Sequence, residues 1–315
     1  LNHLDHFRLW LQAEYGEGEG LIEGIASAVQ AQPAFQRVKR RPADLEAIRR
    51  DFSIAWQSEL QLALPALLGS PEMARYANAW APVHVYYAVY LSMQAWFEAN
   101  KIAGVSDDHS ASLRTIATQI RDRRLFPPPW SVLAVGCPMR KERLYLNAPA
   151  DADLAGDVEV LSNPALEEFW PRYGTWLRST RRARLLAREE AWKTKNGKAR
   201  VSPAVRTKFA QTVWPTSFFD CLWRLRIRSN YKDIEPYLVR FVSDSQATRF
   251  HEATRVCVSA TLALLELYVA QAVGGPEFAS IAGAFLEADE RGLAADTIGR
   301  RFAAYQRVAP FVVRA

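Results

Sequence analysis

The chain has 315 residues, of which 49% are hydrophobic and 23% charged, and its formal net charge at pH 7 is +6. This length and composition exclude global disorder and allow one large domain or two modest ones. The three cysteines (Cys137, Cys221 and Cys257) lie far apart without a CxxC pair, which argues against a disulfide framework and a cysteine zinc site.

Hydropathy and the first residues indicate where the protein works. We see no run of the ~20 apolar residues needed to cross a bilayer. The opening "LNHLDHFRLWLQAEYGEGEG" has no basic start, apolar centre and small-residue cleavage site, so we expect no secretory signal. With the scattered cysteines, these features predict a cytoplasmic protein without a membrane partner.

Apolar residues at helical spacing predict helices through the first half of the chain. The segments that show this spacing are residues 5–15, 20–33, 43–68 and 80–100. We expect Pro65 to kink or end the third of them. The fourth is apolar nearly all round and should be central. A further helix should carry Leu113, with Ser106 or Asp107 as its N-cap.

The second half begins with "LFPPPW", whose prolines should end that helix. The alternating segment "SVLAVGCPMRKERLYLN" predicts a short β-hairpin that turns at residues 136–140, and residues 148–165 have a loop-like composition. The next helix should end at Lys195, before a turn at "KNGK". Further helices are predicted from residue 214, over residues 246–272 and in the last 35 residues.

Positive charge is concentrated in one part of the chain. Residues 171–208 contain 12 Lys and Arg against two Glu, so the remainder of the chain is net negative. A segment this cationic is costly to bury, and Trp170, Tyr173, Trp176 and Trp192 lie among the charges, where they could stack bases. The predicted nucleic-acid contacts are Arg178, Arg181, Arg182, Arg184, Arg188, Lys193, Lys195, Lys198 and Arg200. A plain solvated surface, an acidic protein partner and membrane headgroups are the alternatives.

Two segments together resemble the HEPN superfamily. The first is "VYYAVYLSMQAWFEANKI" followed by "DDHSASL", and the second is "LRIRSNYKD" followed by the long helix at 246–272. The resemblance implies an all-α helical bundle that is interrupted by a basic helix and the short hairpin. We therefore divide the chain into an N-terminal helical region (1–78), a discontinuous bundle (79–125 and 214–275), a basic insertion (126–213) and C-terminal helices (276–315).

HEPN ribonucleases carry an arginine that is followed four to six residues later by a histidine. The resemblance implies metal-independent RNA cleavage that leaves a 2′,3′-cyclic phosphate. Arg226 matches the arginine, with Arg224 or Arg228 assisting, and Asn230 and Tyr231 would orient the ribose 2′-hydroxyl. Tyr231 occupies the histidine position, and its ordinary pKa near ~10 makes it a poor general base at pH 7.

A structural interpretation of the same residues stays open. The arginines could pair with Asp220 or Asp233, and Asn230 and Tyr231 could form a helix cap and a packed aromatic. His251 could approach Arg226, although a packing role explains it as well.

The resemblance implies an RNA-binding protein, with endoribonuclease activity in bacterial defence or a toxin–antitoxin-type response. It also implies a homodimer and no cofactor or metal. The alternative is a non-catalytic dimerisation or regulatory scaffold whose basic segment binds RNA, DNA, an antitoxin or another acidic protein. The chain contains no GxxxxGK[ST], HExxH or GxSxG motif, which argues against those nucleotide-hydrolase, metalloenzyme and hydrolase classes.

Overall fold

The computed structural model describes residues 2–69, 71–102, 108–136, 143–146, 170–231 and 243–309. Helices dominate these residues, which confirms the predicted all-α fold class. The helices are α1 (Asn2–Tyr15), α2 (Glu19–Gln30), α3 (Pro33–Gln36), α4 (Leu45–Leu67), α5 (Pro71–Ala77), α6 (Ala81–Ala99), α7 (His109–Arg123), α8 (Trp170–Asn196), α9 (Pro203–Thr212), α10 (Phe218–Tyr231), α11 (Asp244–Val273), α12 (Gly275–Glu287) and α13 (Arg300–Val308), with a π-helix at Ala295–Gly299.

The chain forms two compact units. Unit 1 consists of Leu1–Val105 together with Leu225–Ala315, and unit 2 consists of Ser106–Arg224. Unit 2 is therefore an insertion between two segments of unit 1. It begins before α7 and ends within α10, whereas the sequence placed the limits of the insertion at residues 126 and 213.

The core of unit 1 lies around α6 and α11. α6 packs on α4 and α11, as its apolar character on all sides predicts. Every residue of α11 from Ala260 to Ala270 is buried. α11 is long and apolar enough to cross a membrane by length and composition, which corrects the expectation that no segment reaches that limit. Because 78% of its most apolar stretch is buried inside the protein, the packing of unit 1 accounts for this composition.

Caps and close approaches set the ends of several helices. The N-cap of α7 is Asp108, whose carboxylate accepts from the Ser110 backbone N–H at 2.9 Å, so the predicted Ser106 or Asp107 cap is wrong. α4 continues for two residues past Pro65. Gly24 allows α1 and α2 to approach closely, because a Cβ at this position would lie 2.1 Å from the Tyr15 carbonyl oxygen.

Unit 2 contains the predicted hairpin. Strand β1 (Val132–Val135) pairs antiparallel with β2 (Arg143–Leu146), and Val132 faces Leu146. α8 packs on β1, and Ala134 exchanges two backbone hydrogen bonds with Thr216, at 2.8 and 2.9 Å. α8 ends at Asn196 and is followed by Gly197 at φ 59°, in agreement with the predicted helix and turn. The predicted loop at residues 148–165 and most of the hairpin turn lie outside the described residues.

Candidate nucleic-acid interface

The cations of residues 171–208 divide according to what they contact. Arg181 is only 1% exposed and donates to three backbone carbonyls, those of Gly136 at 2.7 Å, Ala210 at 3.0 Å and Trp214 at 3.1 Å. The expectation that such a cationic segment stays out of the interior is therefore wrong for Arg181. The planar guanidinium has five donors and gives three of them to these carbonyls, and this makes its burial tolerable.

Three further cations form ion pairs with carboxylates of unit 2. Arg206 Nε lies 2.8 Å from Glu189 and Lys193 Nζ lies 2.7 Å from Glu190. Arg184 pairs with Asp220, which is completely buried. Glu189 and Glu190 are the acidic residues of the segment, and both are engaged by cations of the same segment.

The remaining eight cations are exposed or half-exposed, and we call them the basic surface. They are Arg172, Arg178, Arg182, Arg188, Lys195, Lys198, Arg200 and Lys208. They lie along the outer side of α8, in the connection after it and on α9. Within the described part of the chain, Lys195, Lys198 and Arg200 form no ion pair, so their charges face solvent.

The aromatic residues of this segment do not all suit base stacking. Tyr173 and Trp176 are 0% and 5% exposed, and the Tyr173 hydroxyl donates to the Pro129 carbonyl at 3.1 Å. Both residues lie on the side of α8 that packs inside unit 2, so the stacking interpretation is wrong for them. Trp192 is half-exposed, whereas the side chain of Trp170 lies outside the described residues.

Trp214 is the centre of a cluster that the sequence did not predict. The guanidinium carbon of Arg184 lies 4.2 Å from its ring centroid and that of Arg114 lies 5.1 Å from it. The indole Nε1–H donates to Asp220 at 3.3 Å. Asp220 also accepts from the Ser217 backbone N–H at 2.7 Å, from its hydroxyl at 2.9 Å and from Arg184. No short motif marks this cluster, because its members come from three helices and a connection.

Arg226, the predicted catalytic arginine, belongs to unit 1. Its Nη2 donates to the Tyr87 hydroxyl at 2.8 Å, and its guanidinium carbon lies 5.7 and 5.3 Å from the ring centroids of Tyr86 and Tyr87. Tyr86 is buried, so the tyrosine pair of α6 serves both the core and this arginine. Arg228 is exposed.

The other residues of the α10 prediction have different surroundings. Arg224 belongs to unit 2 and donates to the Ser179 hydroxyl at 3.0 Å. Asp220 pairs with Arg184 rather than with an arginine of α10. Asn230 and Tyr231 lie in the last turn of α10, and their side chains, like all of Asp233, fall outside the described residues.

Two histidines, His109 and His251, have packing partners. His109 lies against the ring of Trp223, with the centroids 4.7 Å apart. His251 is 3% exposed, and its Nδ1 lies 3.1 Å from the Asn78 side-chain oxygen. Burial, and then the charge of Arg255, lower the pKa of His251 to about 4, so this side chain is neutral at pH 7.

A buried charge network in unit 1 was also missed. Arg301 is 1% exposed and donates to Glu59 at 2.7 and 2.9 Å and to Glu266 at 2.8 Å through two nitrogens. Glu266 also accepts from Trp56 Nε1 at 2.7 Å and from the Tyr305 hydroxyl at 2.6 Å. Burial lowers the pKa of Arg301, but the charges of Glu266 and Glu59 outweigh it and raise that pKa well above its ordinary value. With all of these donors and acceptors matched, the network is structural.

Within the residues that the structure describes, no three His, Cys, Asp or Glu side chains cluster closely enough to hold a metal ion. In the comparisons with known proteins, no family model matches this chain, and no curated protein or solved structure matches it significantly.

Proposed function

We propose that this protein binds RNA through the basic surface of unit 2. The observation that carries the proposal is the exposure of the cations: Arg181 is buried, whereas the eight cations of the basic surface are exposed or half-exposed. Phosphate groups spaced along a nucleic-acid strand match such a row of cations, and binding releases counterions from the strand. The resemblance to the HEPN superfamily favours RNA as the polyanion.

The test is fluorescence anisotropy with a labelled single-stranded RNA at several salt concentrations. Replacing Lys195, Lys198 and Arg200 together by glutamine should weaken binding for every RNA sequence. The slope of log K against log salt should become shallower by about 2, because each single-strand phosphate contact contributes about 0.7.

A matched control exists in unit 1, where Arg37, Lys39 and Arg40 are also exposed and closely spaced. Their replacement by glutamine removes the same net charge and should leave the affinity within about twofold of wild type, because these three cations are not part of the basic surface. Equal losses in both triple variants would reduce the effect to net charge and contradict a defined surface. If the wild type binds no RNA, or binds it independently of salt, the RNA-binding proposal fails. The remaining hypothesis is then a non-catalytic scaffold whose basic segment binds an acidic protein.

RNA cleavage at Arg226 is the second candidate function. It is favoured by the half-exposed Arg226 guanidinium, which the Tyr87 hydroxyl orients, with Arg228 exposed two residues later. A guanidinium held in this way can stabilise charge that develops on a phosphate. Homodimer formation, a cytoplasmic location and a role in defence stay predictions from the sequence.

The assay for cleavage uses end-labelled single-stranded RNA and tRNA in EDTA, with wild type beside Arg226→Lys and Tyr87→Phe. Products with cyclic-phosphate ends should form with the wild type and fall at least tenfold with Arg226→Lys, because lysine cannot make the bidentate contact. Tyr87→Phe should reduce cleavage less, since it removes the orienting hydroxyl alone. Uncut RNA with all three proteins would remove this candidate while the binding proposal stands.

A further inference from the structure

The residues around Trp214 are held in place by one buried carboxylate. Asp220 is 0% exposed and accepts four hydrogen bonds, from the Ser217 backbone, the Ser217 hydroxyl, Trp214 Nε1 and Arg184 Nη2. These bonds fix the indole ring of Trp214 and the guanidinium group of Arg184. A carboxylate that already accepts four hydrogen bonds has little capacity left for a further donor.

Arg184 has a donor that this carboxylate does not satisfy. Its Nη1 is buried and, among the described residues, has no hydrogen-bond partner. A buried guanidinium N–H without an acceptor is unfavourable, so an acceptor from outside the described protein, either water or a bound anion, is expected there.

A second guanidinium lies against the same ring. Arg114 is exposed on α7, and its guanidinium carbon lies 5.1 Å from the Trp214 ring centroid. Among the described residues it forms no ion pair. Arg114 and Arg184 therefore bring two positive charges to one indole, and Asp220 balances one of them. The charge that is left favours an anion over water as the missing acceptor.

We propose that a nucleotide phosphate group binds between Arg114 and Arg184, beside Trp214. Phosphate oxygens can accept from both guanidinium groups at once, and the Trp214 indole, which both groups contact, lies beside the phosphate. The site is built within unit 2 alone. Its occupation by a phosphodiester of RNA rests on the proposed function, whereas its occupation by a free nucleotide does not.

The direct test uses the whole chain with 5-fluorotryptophan in place of its ten tryptophans. The ¹⁹F signal of Trp214 is assigned from its loss in Trp214→Phe. Uridine 5′-monophosphate should shift this signal in a saturable manner in the wild type. Arg114→Gln should require at least about fivefold more nucleotide, because a charged hydrogen bond is lost. Arg123→Gln, which removes an exposed arginine from the same helix, should titrate as the wild type does.

A Trp214 signal that does not respond to uridine 5′-monophosphate or to a short RNA would overturn the proposal and leave water as the partner of Arg184. An equal loss of response in Arg114→Gln and Arg123→Gln would also overturn it, because the effect would then be one of overall charge.

Anisotropy with single-stranded RNA then identifies the source of the phosphate. A fivefold loss in Arg114→Gln, against less than twofold in Arg123→Gln, would place RNA at the Trp214 site. A Trp214 shift with the mononucleotide, together with no RNA binding by the wild type, would support a free nucleotide as ligand while the proposed function fails. RNA binding that depends on Lys195, Lys198 and Arg200 but not on Arg114, without a Trp214 shift, would sink this inference and leave the basic surface standing.

Discussion

Replacing Arg301 by methionine should cost unit 1 a large part of its stability. The guanidinium makes four hydrogen bonds to the carboxylates of Glu59 and Glu266, at 2.7 to 2.9 Å, and a fifth to the Ser259 hydroxyl at 3.0 Å. Without it, two buried carboxylates face each other with no cation between them. Removing one partner of a buried ion pair typically costs about 3–5 kcal/mol. That is a large share of the roughly 5–15 kcal/mol by which a domain is stable.

Urea denaturation followed by far-UV circular dichroism measures this loss. Arg300→Met is the matched control, because the neighbouring Arg300 pairs with Asp296 at the surface, where their side chains are 64% and 54% exposed. Solvent screens such a pair, so the control should lose less than about 1 kcal/mol.

The pH dependence of Arg301→Met gives a second measurement of the same cause. Two buried carboxylates without a cation should have folded-state pKa values above the ~4.3 of an unfolded glutamate. A raised pKa means that the folded variant binds protons more readily than the unfolded chain. Its stability relative to wild type should therefore recover as the pH falls below the raised pKa. A loss below 1 kcal/mol that does not change with pH would refute the assignment of Arg301 as the charge partner of both carboxylates.

Two further predictions concern helix packing and a buried histidine. Gly24→Ala should destabilise the protein by roughly 1–3 kcal/mol, because the new Cβ would meet the Tyr15 carbonyl. Gly20 lies in the same helix, and a Cβ added there would have no heavy atom within 4 Å. Gly20→Ala should therefore stabilise the protein by up to about 1 kcal/mol. Equal melting temperatures of the two variants would contradict the contact between Gly24 and Tyr15. The lowered pKa of His251 means that its contribution to stability is complete above about pH 6.5 and is lost as the pH falls towards about 4. His251→Gln should remove that part of the pH profile, and parallel profiles for variant and wild type would refute it.

The local pattern of the sequence was sufficient for most elements of the fold. α6 followed from apolar residues on nearly every side, α11 followed from its helical pattern, and the β1–β2 hairpin followed from alternation. The N-cap of α7 was misplaced because three consecutive residues before His109 have side chains that can cap a helix, namely Ser106, Asp107 and Asp108. The backbone angles of Asp108, in the extended region, decide between them.

Contacts between polar residues that lie far apart in the chain could not be predicted from local sequence patterns. Glu59 and Arg301 are 242 positions apart, and nothing in either local sequence indicates the other. One signal was present, because Glu266 is the single charged residue from Val256 to Val273. A lone carboxylate in a buried apolar helix requires a partner, but the sequence does not say which of 40 Lys and Arg supplies it.

The same limit applies to the arginines of the basic segment. Arg181 and Arg182 are adjacent and chemically identical, yet one is buried on three carbonyls and the other is exposed. Neighbouring positions of a helix point in different directions, so the two arginines can be told apart only once the inner side of α8 is known. Arg184 contacts Trp214 and Asp220. Asp220 belongs to α10 and Trp214 precedes that helix, so the sequence around Arg184 does not indicate either partner.

The insertion of unit 2 between two segments of unit 1 has a consequence for the protein while the ribosome makes it. Translation at about 5–20 residues per second separates the synthesis of Glu59 from that of Arg301 by roughly 12–48 s, given the 242 positions between them. During this interval α4 and α6 lack α11, against which both pack in the finished protein. Unit 2, whose segments are continuous in the chain, can complete its own contacts first. The apolar surface of the first 105 residues therefore stays uncovered until the last helices are made. In this period a chaperone would have the largest apolar surface to shield.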